Sequence, residues 1–161
     1  MTMRWNLLAP FTLLLVACSP SSGDAAPQST QGTPAVHPTS GLPVIPLTVT
    51  HAGRKHTFQV EVASTSQQQA MGLMFRTAMG ADEGMIFPMN PPRTASFWMK
   101  NTVIPLDIIY IGTDGRILNV ADAQPYDLTP LYSAGVVKGV LELNAGRTKE
   151  LGIGVGDVVN W

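Results

Sequence analysis

Cysteine is nearly missing from this chain: Cys18 is the only one. A disulfide within the chain is therefore excluded, and so is a Cys-based metal cluster. An excess of either charge is missing too. Ten Lys and Arg stand against eleven Asp and Glu, a formal net charge of −1, with the two signs interspersed. The clustered basic footprint of a nucleic-acid binder is not there. Beyond residue 17 no apolar run approaches the roughly 20 residues that span a bilayer as a helix. The chain has no internal repeat, no G-x-S-x-G and no zinc-ligand spacing. A nucleophile elbow and a zinc centre are not expected, and no cofactor is expected either.

What is present begins with a leader. Residues 1–17 carry Arg4 and then LLAPFTLLLVA, a charged n-region followed by an apolar h-region. That is signal-peptide architecture and should be kept out of fold reasoning. The run ends in L-V-A-C, Leu15 to Cys18, which resembles the lipobox of bacterial lipoproteins. The resemblance implies cleavage before Cys18, a diacylglycerol on its thiol and a membrane anchor made stable by more than one acyl chain. Ser19 rather than Asp at the next position favours the outer membrane, facing the periplasm, in a cell that has one.

Residues 18–43 read as the lipidated cysteine and a tether. SPSSGDAAPQSTQGTPAVHPTSGLP is Ser, Thr, Pro and Gly with almost no large apolar side chain. It has too little to bury to offset its ordering entropy. As a coil it spans about 25–30 Å r.m.s.. His37 is read as a solvated linker residue.

Residues 44–161 form one globular domain of a length suited to a single core. VIPLTVTH and KHTFQVEVA flank Ala52-Gly53-Arg54, the pattern of a hairpin. In the second segment Phe58, Val60 and Val62 alternate with Thr57, Gln59 and Glu61, a period of two. TSQQQAMGLMF reads as a helix capped by Thr65 or Ser66, with Gly72 as a cost or a mark of close packing. GMIFPM, TASFWM, LDIIYI, RILNV, VKGVLELN and VVNW read as strands, with Asp114-Gly115 turning between the third and fourth. NAGRTKELGI reads as a short helix. The expected fold is α+β, mainly β: a small, largely antiparallel sheet, curled or partly barrelled, with one or two short helices.

MGLMFR (71–76), EGMIFPM (83–89), FWMKNTVIPLDIIYI (97–111) and VLELNAGRTKELGIGVGDVV (140–159) resemble the family catalogued as domain of unknown function 192. With the connecting strands, the resemblance covers about residues 45–161. It implies a fold and no reaction. It also implies that members are often exported or membrane-tethered, in line with the lipobox.

The polar residues inside FWMKNTVIPLD are the unusual ones. In a continuous strand Trp98, Lys100 and Thr102 would share a side and Asn101 would face away. One role is architectural: Lys100 pairs with Asp107 across a bend at Pro105, and Asn101 and Thr102 bond to local backbone. Another is a ligand site built from Arg76, Trp98, Lys100, Asn101 and Thr102. There Arg supplies a planar fork, Lys a point charge and Trp an apolar floor. Such a set suits a small anion or a sugar. A catalytic role needs Asp107 and Glu142 as paired carboxylates, although Glu142 in VLEL reads as the solvent side of an alternating strand. His51 and His56 flank a turn and are read as solvated.

Methionine offers one more reading. Met71, Met74, Met79, Met85, Met89 and Met99 cluster in the chain. Thioethers suit Cu(I), but these Met residues, Met79 apart, also lie within two positions of Phe, Leu or Ile, as core-filling Met does. The leading expectation is a lipid-anchored envelope module that binds a small ligand or a partner protein without catalysis. The alternatives are a hydrolase using Asp107 with Glu142 or Lys100, and a Met-rich Cu(I) carrier.

Overall fold

The structure, a computed structural model, describes Thr2 and residues 35–161. Cys18 with its lipobox and residues 19–34 of the tether lie outside the described residues. Alternation builds the first hairpin. β1 (Val44–His51) and β2 (Arg54–Val62) pair antiparallel from Val44↔Glu61 to His51↔Arg54. Ala52 and Gly53 join them, both at positive φ (46° and 79°). A two-residue turn of that kind matches the right-handed twist of the strands.

The chain then crosses over through α1 (Ser66–Met71) and returns as β3 (Glu83–Arg93), parallel to β2. Thr65 caps α1 in a reciprocal box: its hydroxyl accepts from Gln68 N at 3.2 Å while Gln68 Oε1 accepts from Thr65 N at 2.9 Å. This satisfies two of the amides that a helix start leaves without partners. Gly72 ends α1 at φ 48°. A Cβ there would meet the Phe87 ring at 3.4 Å, an ordinary contact, so the positive φ rather than close packing calls for glycine.

β5 (Leu106–Gly112) and β6 (Ile117–Ala123) form a second hairpin, and β8 (Val137–Asn144) lies between β5 and β3. After α2 (Arg147–Leu151), β9 (Val158–Asn160) pairs with β1. The seven-stranded order is β6-β5-β8-β3-β2-β1-β9. Short β4 (Ser96–Phe97) and β7 (Leu131–Tyr132) make a separate ribbon. The protein is thus mainly β with two short helices, and its sheet is mixed but largely antiparallel.

The sheet curls without closing. Its inner face collects Leu47, Phe58, Ile86, Ile109 and Leu141, together with Ile117 and Val159 from the two edge strands. Side chains from both edges reach one core only when the sheet rolls. An Arg116↔Val158 bridge ties the edges at one end. The outer face carries Met85, Phe87, Ile108, Tyr110 and Val140, packed against Leu73, Ala95 and Met99 from the connecting segments.

One expected strand is shorter than its sequence pattern. β4 stops at Phe97, so Trp98, Lys100 and Thr102 do not line one side of a strand. The chain turns instead: Thr102 N donates to Met99 O at 3.1 Å, with Asn101 at φ 54°. Asn tolerates this left-handed conformation because its short polar side chain bonds locally.

Candidate functional site

Two glutamates lie on the outer face of the sheet. Glu61 of β2 and Glu142 of β8 are both cross-strand neighbours of Met85 in β3. Two strand spacings separate them, roughly 10 Å. Both are buried, at 3% and 5% exposure. The alternation in sequence places them on the polar side of their strands. That side is covered in three dimensions by residues 35–43 over Glu61 and by the α1 segment with the 93–102 loop over Glu142.

Glu61 is matched. Arg76 grips it with both guanidinium nitrogens, Nη1 to Oε1 at 2.8 Å and Nη2 to Oε2 at 3.0 Å. Ser40 Oγ donates to the same carboxylate. His37 Nδ1 lies 3.7 Å from Glu61, and its Nε2 lies 3.4 Å from Arg76 Nη1. A fork on a buried carboxylate is the geometry Arg serves best. His37, expected as a solvated linker residue, is therefore part of a buried polar network. Arg76, expected beside Trp98 and Lys100, faces Glu61 instead.

Glu142 is not matched. Its carboxyl has no hydrogen bond and no ion pair among the described residues, and it opens into a cleft of about 420 Å³. That volume is within the range of small-ligand pockets. The cleft is walled by Met71, Leu73 and Met74 after and at the end of α1, by Phe87 and Met89 of β3, and by Phe97 and Trp98. Phe97 stands edge-on to Phe87 at 5.0 Å and to Tyr110 at 6.3 Å, which fixes the aromatic wall. Burial pushes the Glu142 carboxyl up to about 8. It is mostly protonated at neutral pH, a neutral group that both donates and accepts. Tyr110 is raised as well, by burial first and by the charge of Glu142 second. Its hydroxyl donates to Leu131 O at 2.6 Å.

The rim is polar. Gln69 Nε2 donates to Ala63 O and Pro88 O at 3.1 and 2.9 Å, which pins α1 over β3. Arg93 Nη2 reaches Gln69 Oε1 at 3.4 Å. Arg93 and Glu142 are the ionisable residues of the described lining.

The other sequence-derived site residues are divided. Trp98 and Thr102 line the cleft; Arg76, Lys100, Asn101 and Asp107 do not. Lys100 Nζ lies over the Trp98 ring, 5.5 Å from its centre, on the surface. Asp107 is fully buried on the inner side and makes no pair with Lys100. It accepts from Gly146 N at 2.9 Å, Thr148 N at 2.8 Å and Thr148 Oγ1 at 2.7 Å, which secures the start of α2. Nor do Asp107 and Glu142 face each other. Asp107 is opposite Leu143 and Glu142 is opposite Ile108, so the two carboxyls project from opposite faces of the sheet.

Methionine is divided in the same way. Met71, Met74 and Met89 line the cleft, whereas Met85 and Met99 are core and Met79 packs at its edge. Among the described residues no group of three His, Cys, Asp or Glu side chains is placed to hold a metal ion. The feature that sequence reasoning missed is the burial of Glu142. A signal existed: from Val136 to Leu143 only Lys138 and Glu142 are polar, and largely apolar runs of this kind mark strands buried on both faces.

A rolled, mainly β domain with a covered outer face is the class that this geometry defines. The family model for DUF192, described as "Uncharacterized ACR", matches residues 47–161. The chain belongs to the DUF192 family. It is similar to a crystal structure of a protein of unknown function from Novosphingobium aromaticivorans DSM 12444. The two are 56% identical over 81% of this chain and 94% of that one, with a TM-score of 0.78. A protein from Sinorhizobium meliloti 1021 is 38% identical over 74% of this chain and 94% of its own, with a TM-score of 0.72. No curated protein matches.

Proposed function

We propose that this DUF192 domain is a non-enzymatic binding module, held at the cell envelope by a lipid on Cys18, and that it takes a small ligand in the cleft over Glu142. The observation that carries the reading is the contrast in polar pairing. A buried carboxyl normally has a partner, and Glu61 has three, while Glu142 opens without one into a cleft of ligand size. The aromatic and thioether walls supply apolar contact, and Glu142, Gln69 and Thr102 supply orientation. Lining with a few convergent polar groups is the usual make-up of such pockets.

A hydrolase using Asp107 with Glu142 lacks the paired geometry that two carboxyls need, because they lie on opposite faces. A second reading, Cu(I) held by thioethers, is favoured by one observation, the shared exposure of Met71, Met74 and Met89 to the cleft.

Thermal unfolding of the full chain against sugars, carboxylates, phosphates, amines and Ag(I) tests these readings together. A ligand that binds only the folded state raises the midpoint by mass action. The binding reading expects one organic class to shift the midpoint and Phe97→Ala or Glu142→Gln to reduce the shift. A shift confined to Ag(I) selects the thioether reading. The anchor is checked separately by incorporation of labelled fatty acid, which Cys18→Ser should abolish.

A further inference from the structure

Resting on the cleft as a binding site, we infer that the ligand group seated on Glu142 is an organic cation, a primary ammonium or a guanidinium carried on an apolar stem. The first ground is the missing counter-charge. On the same sheet face, two strands away, Glu61 is held by the Arg76 guanidinium. Glu142 is 5% exposed, has no polar partner among the described residues and aims into the cleft. A bound cation would complete at Glu142 what Arg76 completes at Glu61.

The walls give the second ground. Aromatic rings attract cations through the ring quadrupole, and Phe87, Phe97 and Trp98 line the same cleft as Glu142. Thioethers of Met71, Met74 and Met89 add polarizable contact for an apolar stem. None of the charged and titratable groups nearby neutralises Glu142. Tyr110 on β5 is held neutral, Glu61 on β2 is occupied by Arg76, and Arg93 stands at the rim rather than beside the carboxyl. An anion placed on Glu142 would meet an acid and no cation within ion-pair reach of it. A cation would meet one acid able to ionise.

Binding then exchanges one proton for one cation. The protonated Glu142 releases H+ to solvent as the ammonium arrives, and charge in the cleft is conserved. With a carboxyl pushed up to about 8 by burial, the ionised fraction grows about tenfold per pH unit below that value and levels off above it. Cation affinity should follow the same curve.

The test is an NMR chemical-shift titration of the full chain with n-butylammonium, 1-butanol and butyrate, at pH 6, 7, 8 and 9, in the wild type and in Glu142→Gln. The expected result is n-butylammonium binding that strengthens about tenfold from pH 6 to 7, about fivefold from pH 7 to 8 and about twofold from pH 8 to 9. Butanol should bind more weakly than n-butylammonium at pH 9 and show no such trend. Glu142→Gln should remove the pH dependence and weaken the cation at pH 9 by at least about tenfold, with butanol unchanged. A second arm compares the free ion with an acetylated, amidated Gly-Lys-Gly peptide. Tighter binding of the peptide makes the source a protein side chain, and tighter binding of the ion makes it a small amine.

Butanol or butyrate binding in the cleft as tightly as n-butylammonium at pH 9 would overturn the cation assignment and leave the binding site standing. So would a pH-independent cation affinity in the wild type, a result that needs no variant to fold. No cleft response to any of the probes, the peptide included, would overturn both the assignment and the binding reading beneath it.

Discussion

Glu61 and Glu142 flank Met85 from either side on one face of the sheet, and only Glu61 meets a cation. The two carboxyls share burial and differ in partner. That difference separates a structural ion pair from a candidate site, and it leads to opposite consequences on mutation.

Glu142 should make the domain less stable as pH rises. Its folded-state carboxyl titrates near 8 against an ordinary value of 4.5. Between those values the folded chain holds a proton that the unfolded chain has released. The contribution is complete below 4.5, declines through the window by up to about 1.4 kcal/mol per pH unit, and is gone above 8. Glu142→Gln should flatten this slope and exceed the wild type in stability at pH 8. Urea unfolding of both proteins at pH 5, 6.5 and 8 measures the difference, and parallel profiles would contradict the buried, unpaired carboxyl.

Arg76 should behave as a structural residue. Arg76→Ala strands the Glu61 charge, and breaking a buried pair from one side costs about 3–5 kcal/mol. Replacing both partners, Glu61→Leu with Arg76→Met, should recover most of that loss, because an apolar pair of similar volume needs no compensation. The double variant should also keep any cleft ligand. Denaturant midpoints and the thermal-shift assay report the two effects separately.

Asp107 should matter through α2 rather than through chemistry. Asp107→Ala leaves the buried Thr148 amide and hydroxyl without their acceptor, at about 1–3 kcal/mol for each buried donor, while water can replace it at the exposed Gly146 amide. Thr148→Val removes only the hydroxyl bond and should cost about 1 kcal/mol. Amide hydrogen exchange should accelerate over residues 146–152 in the first variant and much less in the second. A destabilisation under 1 kcal/mol for Asp107→Ala would argue against this anchoring role.

The FWMKNT segment should tolerate loss of its charge better than loss of its turn. Lys100 makes a surface cation–π contact with Trp98, of the kind worth about 0.5–1 kcal/mol, so Lys100→Ala should stay within that range. Asn101 sits at φ 54°. Asn101→Gly should be nearly neutral, while Asn101→Val should cost at least about 1–2 kcal/mol, since a left-handed conformation crowds its Cβ. Melting temperatures rank the three variants.

Much of the architecture was legible because it obeys local rules. Phe58 and Val60 repeat with the period of a strand, Ala52-Gly53 and Asp114-Gly115 are turn signals, and Thr65 with Gln68 spells a capping box. Each rests on a few neighbouring residues. The candidate site was less legible. Trp98 and Thr102 were identified and do line the cleft, but Arg76 was assigned to the same pocket and is turned toward Glu61. Lys100 and Asp107 flank Pro105, yet β4 ends at Phe97 and the turn at Asn101 sends Lys100 to the surface while Asp107 enters the core.

By itself the sequence determined a β-rich domain, the positions of its hairpins and the cap of its first helix, and it raised the expectation of a leader with a lipobox-like end. Only the tertiary structure decided which acids matter and how. Glu61 and Glu142 both stand on the nominally polar side of alternating strands, and the apolar run around Glu142 is the one local hint that this side is covered. The strand order sets them beside Met85. Residues 35–43 and Arg76 then close over one, and α1 with the 93–102 loop leaves a cleft over the other. Burial and partner are non-local quantities, set by segments far apart in the chain, and it is these that leave Glu142 neutral, enclosed and without a counter-charge.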